Sequence, residues 1–191
     1  LISHCTPTAL RYHGVMSFES ALREAIQGEV YFDLVSRGIH ATDGSHYQRV
    51  PACVVVPRDE HDCAAALRLA TEHGMPLTAR GGGTSLAGQT FNTGMVLDLS
   101  KYMDAVLEVN ADQQWARVQP GAVRDRINAQ FHPLGVHFAP DPATSSRCTV
   151  GGMIGNNSAG TRSIIYGKTV DNILEMRLLL ADGTHMVLTD L

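Results

Sequence analysis

Apolar residues recur along this chain with two different periods. Phe18, Ala21, Leu22, Ala25 and Ile26 stand three and four apart behind Ser17, a residue suited to cap a helix, and the series stops before Gly28. A helix is expected there. Residues 1–16 carry no clear period. In residues 31–50, Tyr31, Phe32, Leu34 and Val35 suggest a further helical turn, and Thr42-Asp43-Gly44-Ser45 is turn chemistry. From Ala52 to Val56 the period disappears into a β-branched run closed by Pro57, as in a buried strand. Asp59 can cap the next helix, with Asp62 three residues on as in a capping box. Cys63, Ala66, Leu67 and Ala70 form its apolar stripe, and Gly74 ends it. Pro76 to Ala79 and Met95 to Leu99 read as two further strands.

The second half of the chain alternates differently. Ala105 to Val109 and Trp115 to Gln119 read as strands joined by the polar turn Asn110-Ala-Asp-Gln113. Val123, Ile127 and Phe131 stand four apart, which predicts a helix over 122–132 that stops at Pro133 and Gly135. Residues 139–167 are rich in Gly, Pro, Ser, Thr and Asn and read as a long, structure-poor stretch, a kind of segment usually kept for function. Ile173 to Ala181 and Thr184 to Leu188 flank Asp182-Gly183, a hairpin turn. Internal repeats are absent. The pattern predicts an α+β protein of two lobes. Residues 1–49 form a partly helical N-terminal extension, residues 50–104 a small lobe with a parallel βαβ unit, and residues 105–191 a larger mixed or antiparallel lobe with flanking helices.

Composition narrows the function. With 191 residues, 44% hydrophobic and 18% charged, the chain fits an ordinary globular protein. A net charge of −4 leaves no basic footprint for nucleic acid. No apolar run reaches the about 20 residues that span a bilayer. The chain opens on Leu1-Ile2-Ser3-His4, with no initiator Met and no signal-peptide pattern, and reads as a piece of a longer polypeptide. Cys5, Cys53, Cys63 and Cys148 are far apart and form no CxxC pair, and the nine histidines include no HExxH, so no metal site is expected. Cys53 and Cys63 are expected as buried free thiols in a cytoplasmic protein, with peripheral attachment to a membrane left open.

The candidate chemistry lies in two glycine-rich segments. Arg80-Gly-Gly-Gly-Thr-Ser-Leu-Ala-Gly88 follows a strand, and successive N–H groups there can close into an anion-binding nest. A flexible surface turn has the same composition. The loop has no Gly-Lys-Ser/Thr, so it is no Walker A loop, and Leu86 stands where a dinucleotide GxGxxG needs glycine. Thr149-Val-Gly-Gly-Met-Ile-Gly-Asn-Asn-Ser-Ala-Gly160 repeats the chemistry, adding Asn and Ser side chains that can read a polar ring edge. A loose connector is its alternative reading. Asn156-Asn157-Ser158 spells a glycosylation sequon, taken as chance in the absence of a secretion signal.

Four segments, Arg80-Gly-Gly-Gly-Thr-Ser-Leu-Ala-Gly-Gln89, Pro140-Asp-Pro-Ala-Thr-Ser-Ser-Arg147, Thr149 to Gly160, and Tyr166-Gly-Lys-Thr-Val-Asp171, occur in this order. Together they resemble the FAD-binding PCMH-type domain of the vanillyl-alcohol-oxidase superfamily, over about residues 45–191. The nearest branch resembles FAD-linked oxidases of the glycolate oxidase, D-lactate dehydrogenase and D-2-hydroxyglutarate dehydrogenase type, in particular large bacterial members fused to an iron–sulfur domain. Any iron–sulfur cluster would then lie in parts of the parent outside this chain.

The resemblance implies an FAD extended between the two lobes. Arg80, Gly81, Gly82, Gly83, Thr84 and Ser85 would wrap its pyrophosphate, with Gly88 and Gln89 closing that side. Pro140, Asp141 and Thr149 would line the path to the isoalloxazine. Gly151, Gly152, Asn156, Asn157 and Gly160 would hold the flavin and ribityl region, and Tyr166, Gly167 and Val170 would lie near the dinucleotide. Arg147 is either a charge for a phosphate or carboxylate or a solvated loop residue. Flavinylated relatives place a histidine where this loop has Thr84, and the motif around Cys148 differs from that of cysteinyl-flavin relatives, so the resemblance implies non-covalent FAD. It also implies oxidation of a small 2-hydroxy acid, such as D-lactate, glycolate or D-2-hydroxyglutarate, by hydride transfer to flavin. The base and carboxylate-binding residues would belong to a C-terminal substrate domain, so the fragment alone is expected to be inactive and no catalytic residue is assigned. Three alternatives stay open: a reductase of the UDP-N-acetylenolpyruvoylglucosamine type, a non-redox nucleotide-binding module, and a fragment too incomplete to hold FAD.

Overall fold

The computed structural model describes residues 17–189. The aperiodic start expected over residues 1–16, with Cys5, lies outside the described residues. Helix α1 (Phe18–Ala25) starts at Ser17, whose hydroxyl accepts from the Ser20 N–H, as its capping chemistry predicts. The helical turn expected around Tyr31 is resolved differently. Strand β1 (Glu29–Tyr31) comes first, and helix α2 (Leu34–Ile39) follows behind the cap Asp33. Strand β2 (Cys53–Val56) is buried along its length. Helix α3 (Glu60–Glu72) then leads to β3 (Leu77–Arg80) and β4 (Met95–Asp98).

These strands form one sheet in the order β1-β2-β4-β3, with β4 parallel to both β2 and β3 and β1 antiparallel at the edge. Both faces of the central strands are covered, which is why they read as continuous apolar runs. On one face Leu22 and Ile26 of the α1 segment and Cys63, Ala66, Leu69 and Ala70 of α3 pack against Val55, Met95 and Leu97. On the other, Val54, Val56 and Val96 meet Phe91, with Tyr31 and Tyr102 against them. Leu67, expected in the stripe of α3, is only half-buried, and Leu69 takes the inward place.

Asp59 caps α3 by accepting from the N–H groups of His61 and Asp62. Asp62, expected to complete a capping box, instead turns away. Its carboxylate accepts from the backbone N–H groups of Gln27, Gly28 and Arg58, so it ties the end of the α1 segment to the start of α3.

The second half begins with the hairpin β5 (Val106–Asn110) and β6 (Trp115–Val118), then helix α4 (Arg124–Phe131) and a short 3-10 turn that ends at left-handed Gly135. Val123 stands just outside α4 and bridges to Thr149, while Ile127 and Phe131 are buried. The stretch expected to lack structure contains two short helices, α5 (Val150–Asn156) and α6 (Ser163–Tyr166). Glycine content hid α5, which is held by packing: Val150 joins Ala122, Ile127 and Phe131 in a core against the apolar side of the hairpin. Strands β7 (Glu175–Leu179) and β8 (His185–Thr189) form the expected antiparallel hairpin, turning at Gly183 with a φ of 84°. The architecture is α+β.

Candidate functional site

The three glycines after β3 are required by three different contacts. A Cβ on Gly81 would lie 2.0 Å from Thr149 Oγ1, and one on Gly82 would lie 2.2 Å from the carbonyl oxygen of Arg147. Gly83 has a φ of +64°, and a Cβ there would fall 2.4 Å from an Arg80 guanidinium nitrogen. The Cβ-free sides of Gly81 and Gly82 therefore let the first glycine segment lie directly on the residues that lead into α5. Among the described residues, no N–H from Gly81 to Leu86 donates to a protein acceptor; the next donor is Ala87, whose N–H reaches Gln89 Oε1 at 3.2 Å. A run of unpartnered N–H groups in a concave surface suits an anion.

That surface is one wall of a cleft of about 330 Å³. Its lining joins Gly81, Gly82, Gly83, Thr84, Ser85 and Gln89 to Thr149, Gly152 and Asn156. The two segments also touch across it. Gln89 Nε2 donates to Asn156 Oδ1 at 2.9 Å, and Asn156 Nδ2 approaches Ser85 Oγ at 3.5 Å. Sequence reasoning missed Leu86, Ala87, Thr90, Thr144, Met153 and Ser158 in the lining. All but Thr90 and Met153 carry no signal beyond lying inside the glycine- and serine-rich segments. Met153 reads as plain core, and Thr90 follows Gln89 outside the motif.

The remaining candidates frame the cleft without lining it. Arg80 is turned behind the loop, donating to Thr42 O at 2.8 Å and Thr90 Oγ1 at 3.0 Å. Gly88, at a φ of +75°, packs on the Tyr47 ring. Pro140 is fully buried, its carbonyl accepting from Arg124 Nε. Gly151 N–H donates to Pro120 O at 2.8 Å. Asp141 forms a latch: its carboxylate accepts from Arg162 N–H and Thr161 Oγ1, and a Cβ on Gly160 would lie 2.1 Å from its carbonyl oxygen. Asn157 is left-handed at the end of α5, and its Oδ1 accepts from Val170 N–H at 3.1 Å. Tyr166 is partly exposed and meets His137 edge-on. Gly167, at a φ of +75°, lies against the Asp171 carboxylate. Arg147 is exposed.

Cys148 also lines the cleft. Burial pushes its thiol up, so it stays protonated and a poor nucleophile. Burial likewise raises Cys53 to about 11 and Cys63 to about 12, consistent with packed thiols. Behind the loop, His40 Nε2 lies 3.0 Å from Asp98 Oδ2, and His40 Nδ1 lies 2.8 Å from Ser36 O. Asp98 faces Arg80 in the register of β3 and β4. No helix among the described residues is long and apolar enough to cross a membrane.

Comparison with known proteins places this geometry. The FAD binding domain family matches residues 51–189. D-2-hydroxyglutarate dehydrogenase from Pseudomonas putida is 44% identical over 88% of the chain, and glycolate oxidase subunit GlcD from Bacillus subtilis is 34% identical over 83%. The chain spans 17% of the length of the first and 34% of the second. Among solved structures, 6-hydroxy-D-nicotine oxidase from Arthrobacter nicotinovorans superposes with a TM-score of 0.75 at 28% identity, over 86% of this chain and 36% of that one.

Proposed function

Since the chain belongs to the FAD-binding domain family of PCMH type, we propose that the cleft between the glycine loop and α5 is where it holds FAD, as the cofactor module of an oxidoreductase acting on a 2-hydroxy acid. The observation that carries this reading is the run of unpartnered N–H groups from Gly81 to Leu86 on the wall of a polar cleft. The residues fit the group. A pyrophosphate needs several donors at close range, and a lysine-free backbone nest supplies them. Thr84 and Ser85 add hydroxyls, and Gln89, Asn156 and Thr149 present amide and hydroxyl groups for the ribityl and ring edge. Gly152 keeps the opposite wall low, while Arg80, Gly88, Pro140, Asp141, Gly151, Asn157, Gly160, Tyr166, Gly167 and Val170 hold the frame around it.

When bound, FAD supplies the two-electron acceptor for the hydrogen leaving the substrate α-carbon. This chain contributes placement: it binds the dinucleotide, fixes its orientation between two halves, and screens one side from water. In this proposal the base and the groups that bind the substrate carboxylate belong to other parts of a longer protein. The raised pKa of Cys148, the described thiol in the cleft lining, together with Thr84 in the loop, supports non-covalent retention. The proposed lobes meet near residue 105, and the proposed location is the cytoplasm.

The names of the relatives make D-2-hydroxyglutarate the first substrate to try, then glycolate and D-lactate. Purified parent protein is expected to be yellow, with a flavin spectrum that bleaches anaerobically on adding one of these acids. A parent that carries no flavin would overturn the proposal. Flavin that none of the acids reduces would overturn the substrate class alone.

A further inference from the structure

We propose that His40 is a positioning residue for the glycine loop: as an imidazolium it balances the charge cluster behind Gly81–Leu86, so that the hold on an FAD pyrophosphate weakens as His40 loses its proton. The inference rests on the reading of the cleft as an FAD site.

The geometry favours the charged ring. His40 Nδ1 faces the carbonyl oxygen of Ser36 and Nε2 faces the carboxylate of Asp98. Both partners are acceptors. A neutral imidazole has one N–H and leaves one of these contacts without a proton, whereas the imidazolium donates to both. Asp98 is fully engaged in turn, since its other oxygen accepts from the N–H and hydroxyl of Ser100. The Asp98 hydrogen bond holds the His40 pKa above its ordinary 6.5, against the opposing effect of burial.

From Asp98 the cluster leads to the loop. Asp98 pairs in register with Arg80, the last residue before the glycines. The Arg80 guanidinium lies under Gly83 where a Cβ would otherwise be, and it donates to Thr42 O and to Thr90 Oγ1. Thr90 in turn donates to Asp43 Oδ2 at 3.2 Å. The charged groups facing this half-buried corner are thus His40 from the end of α2, Arg80 from β3, Asp98 from β4 and Asp43 from the preceding turn. The guanidinium of Arg37, also on α2, points away to Pro51 O. With His40 protonated, two cations match two carboxylates. Loss of the proton leaves one net negative charge behind a site built for an anion, and frees Asp98 to draw Arg80 away from Gly83.

The sign follows from the raised pKa. The His40 contribution is complete below pH 6.5 and is lost as the pH rises through its higher folded value. By reciprocity, bound FAD raises the His40 pKa further.

Two measurements on this chain test the idea. The first is calorimetric titration with FAD and with riboflavin, which lacks the pyrophosphate, between about pH 5.5 and 8.5. FAD affinity is expected to fall about fivefold or more across that range, riboflavin affinity to stay flat, and the FAD profile of His40→Gln to be flat as well. The second needs no ligand and no variant. In an NMR pH titration, the amide signals of Gly81 to Thr84 are expected to move with the same midpoint as the His40 ring. Loop amides that ignore the His40 midpoint would overturn the inference, as would an FAD profile unchanged in His40→Gln. A chain that binds no FAD at any pH, yet shows the shared NMR midpoint, would count against the FAD reading while the coupling of His40 to the loop stands.

Discussion

Asp62 shows how much one side chain decides in this fold. It is 2% exposed, and its two oxygens accept from three backbone N–H groups, those of Gln27 and Gly28 just before β1 and of Arg58 just after β2. Asp62→Ala removes the acceptor and strands these donors, so a loss of about 3 kcal/mol or more is expected, read as a lower urea midpoint at unchanged slope. An unchanged midpoint would mean that water replaces the carboxylate. Its spacing from Asp59 made it look like a local cap, because partners about 35 residues away in sequence leave no periodic trace. Glu29 is the second case. Lys101, then Tyr102, then Tyr31 donate to its carboxylate and hold it at about 2, well below the ordinary 4.5. A depressed folded pKa means the contribution is present above pH 4.5 and lost as the pH falls through about 2. Glu29→Gln is therefore expected to be less stable than the parent near neutrality and to converge with it as the pH approaches 2; a gap that persists in acid would point to packing instead.

At the scale of elements, the segment that follows α5 is held by contacts that only glycine permits. A Cβ on Gly160 would meet both the carbonyl and the carboxylate oxygen of Asp141, at 2.1 and 2.2 Å, and the carbonyl belongs to backbone that cannot rotate away. Gly160→Ala is expected to release the Asp141 latch on Thr161 and Arg162, raise hydrogen exchange across residues 157–172, and weaken FAD binding about tenfold. Normal exchange there would show that the segment is held by Asn157–Val170 and Ser158–Thr169 alone. Elements of this kind were the least legible in the sequence. Strands β2, β3 and β4, helix α3 and the two hairpins announce themselves, because buried runs, one-sided stripes and Asp-Gly turns are local signals. Three-residue β1 is too short for a period and exists because β2 offers it an edge. Helix α5 runs against its own propensity, with three glycines among its seven residues, and is fixed by packing against the α4 core. The glycine motifs gave the cleft its walls. They did not give the geometry in which Gly81 and Gly82 make room for Thr149 and Arg147.

The whole molecule is organised around that contact. One wall of the cleft comes from the loop after β3 and the other from the residues around α5, and they are joined by the seating of Gly81 on Thr149 and the Gln89–Asn156 hydrogen bond. The C-terminal hairpin adds less to the core: β8 is mostly exposed, while β7 is half-buried and sends Leu179 against the main core. A ligand that fills the cleft must then stabilise both halves together, since separating the walls exposes it. With FAD at about 100 times its dissociation constant the native state gains about 2.7 kcal/mol. For a chain of this length each kcal/mol raises the melting temperature by about 2–4 °C, so a rise of about 5–10 °C is expected. The part of the ligand that matters can be read from the same experiment. If the N–H run from Gly81 to Leu86 is the anchor, ADP gives a large part of the shift and riboflavin little. Equal shifts from FAD and riboflavin would move the anchor to the α5 wall, and a shift from neither FAD nor ADP would mean that the two halves close on something other than a dinucleotide.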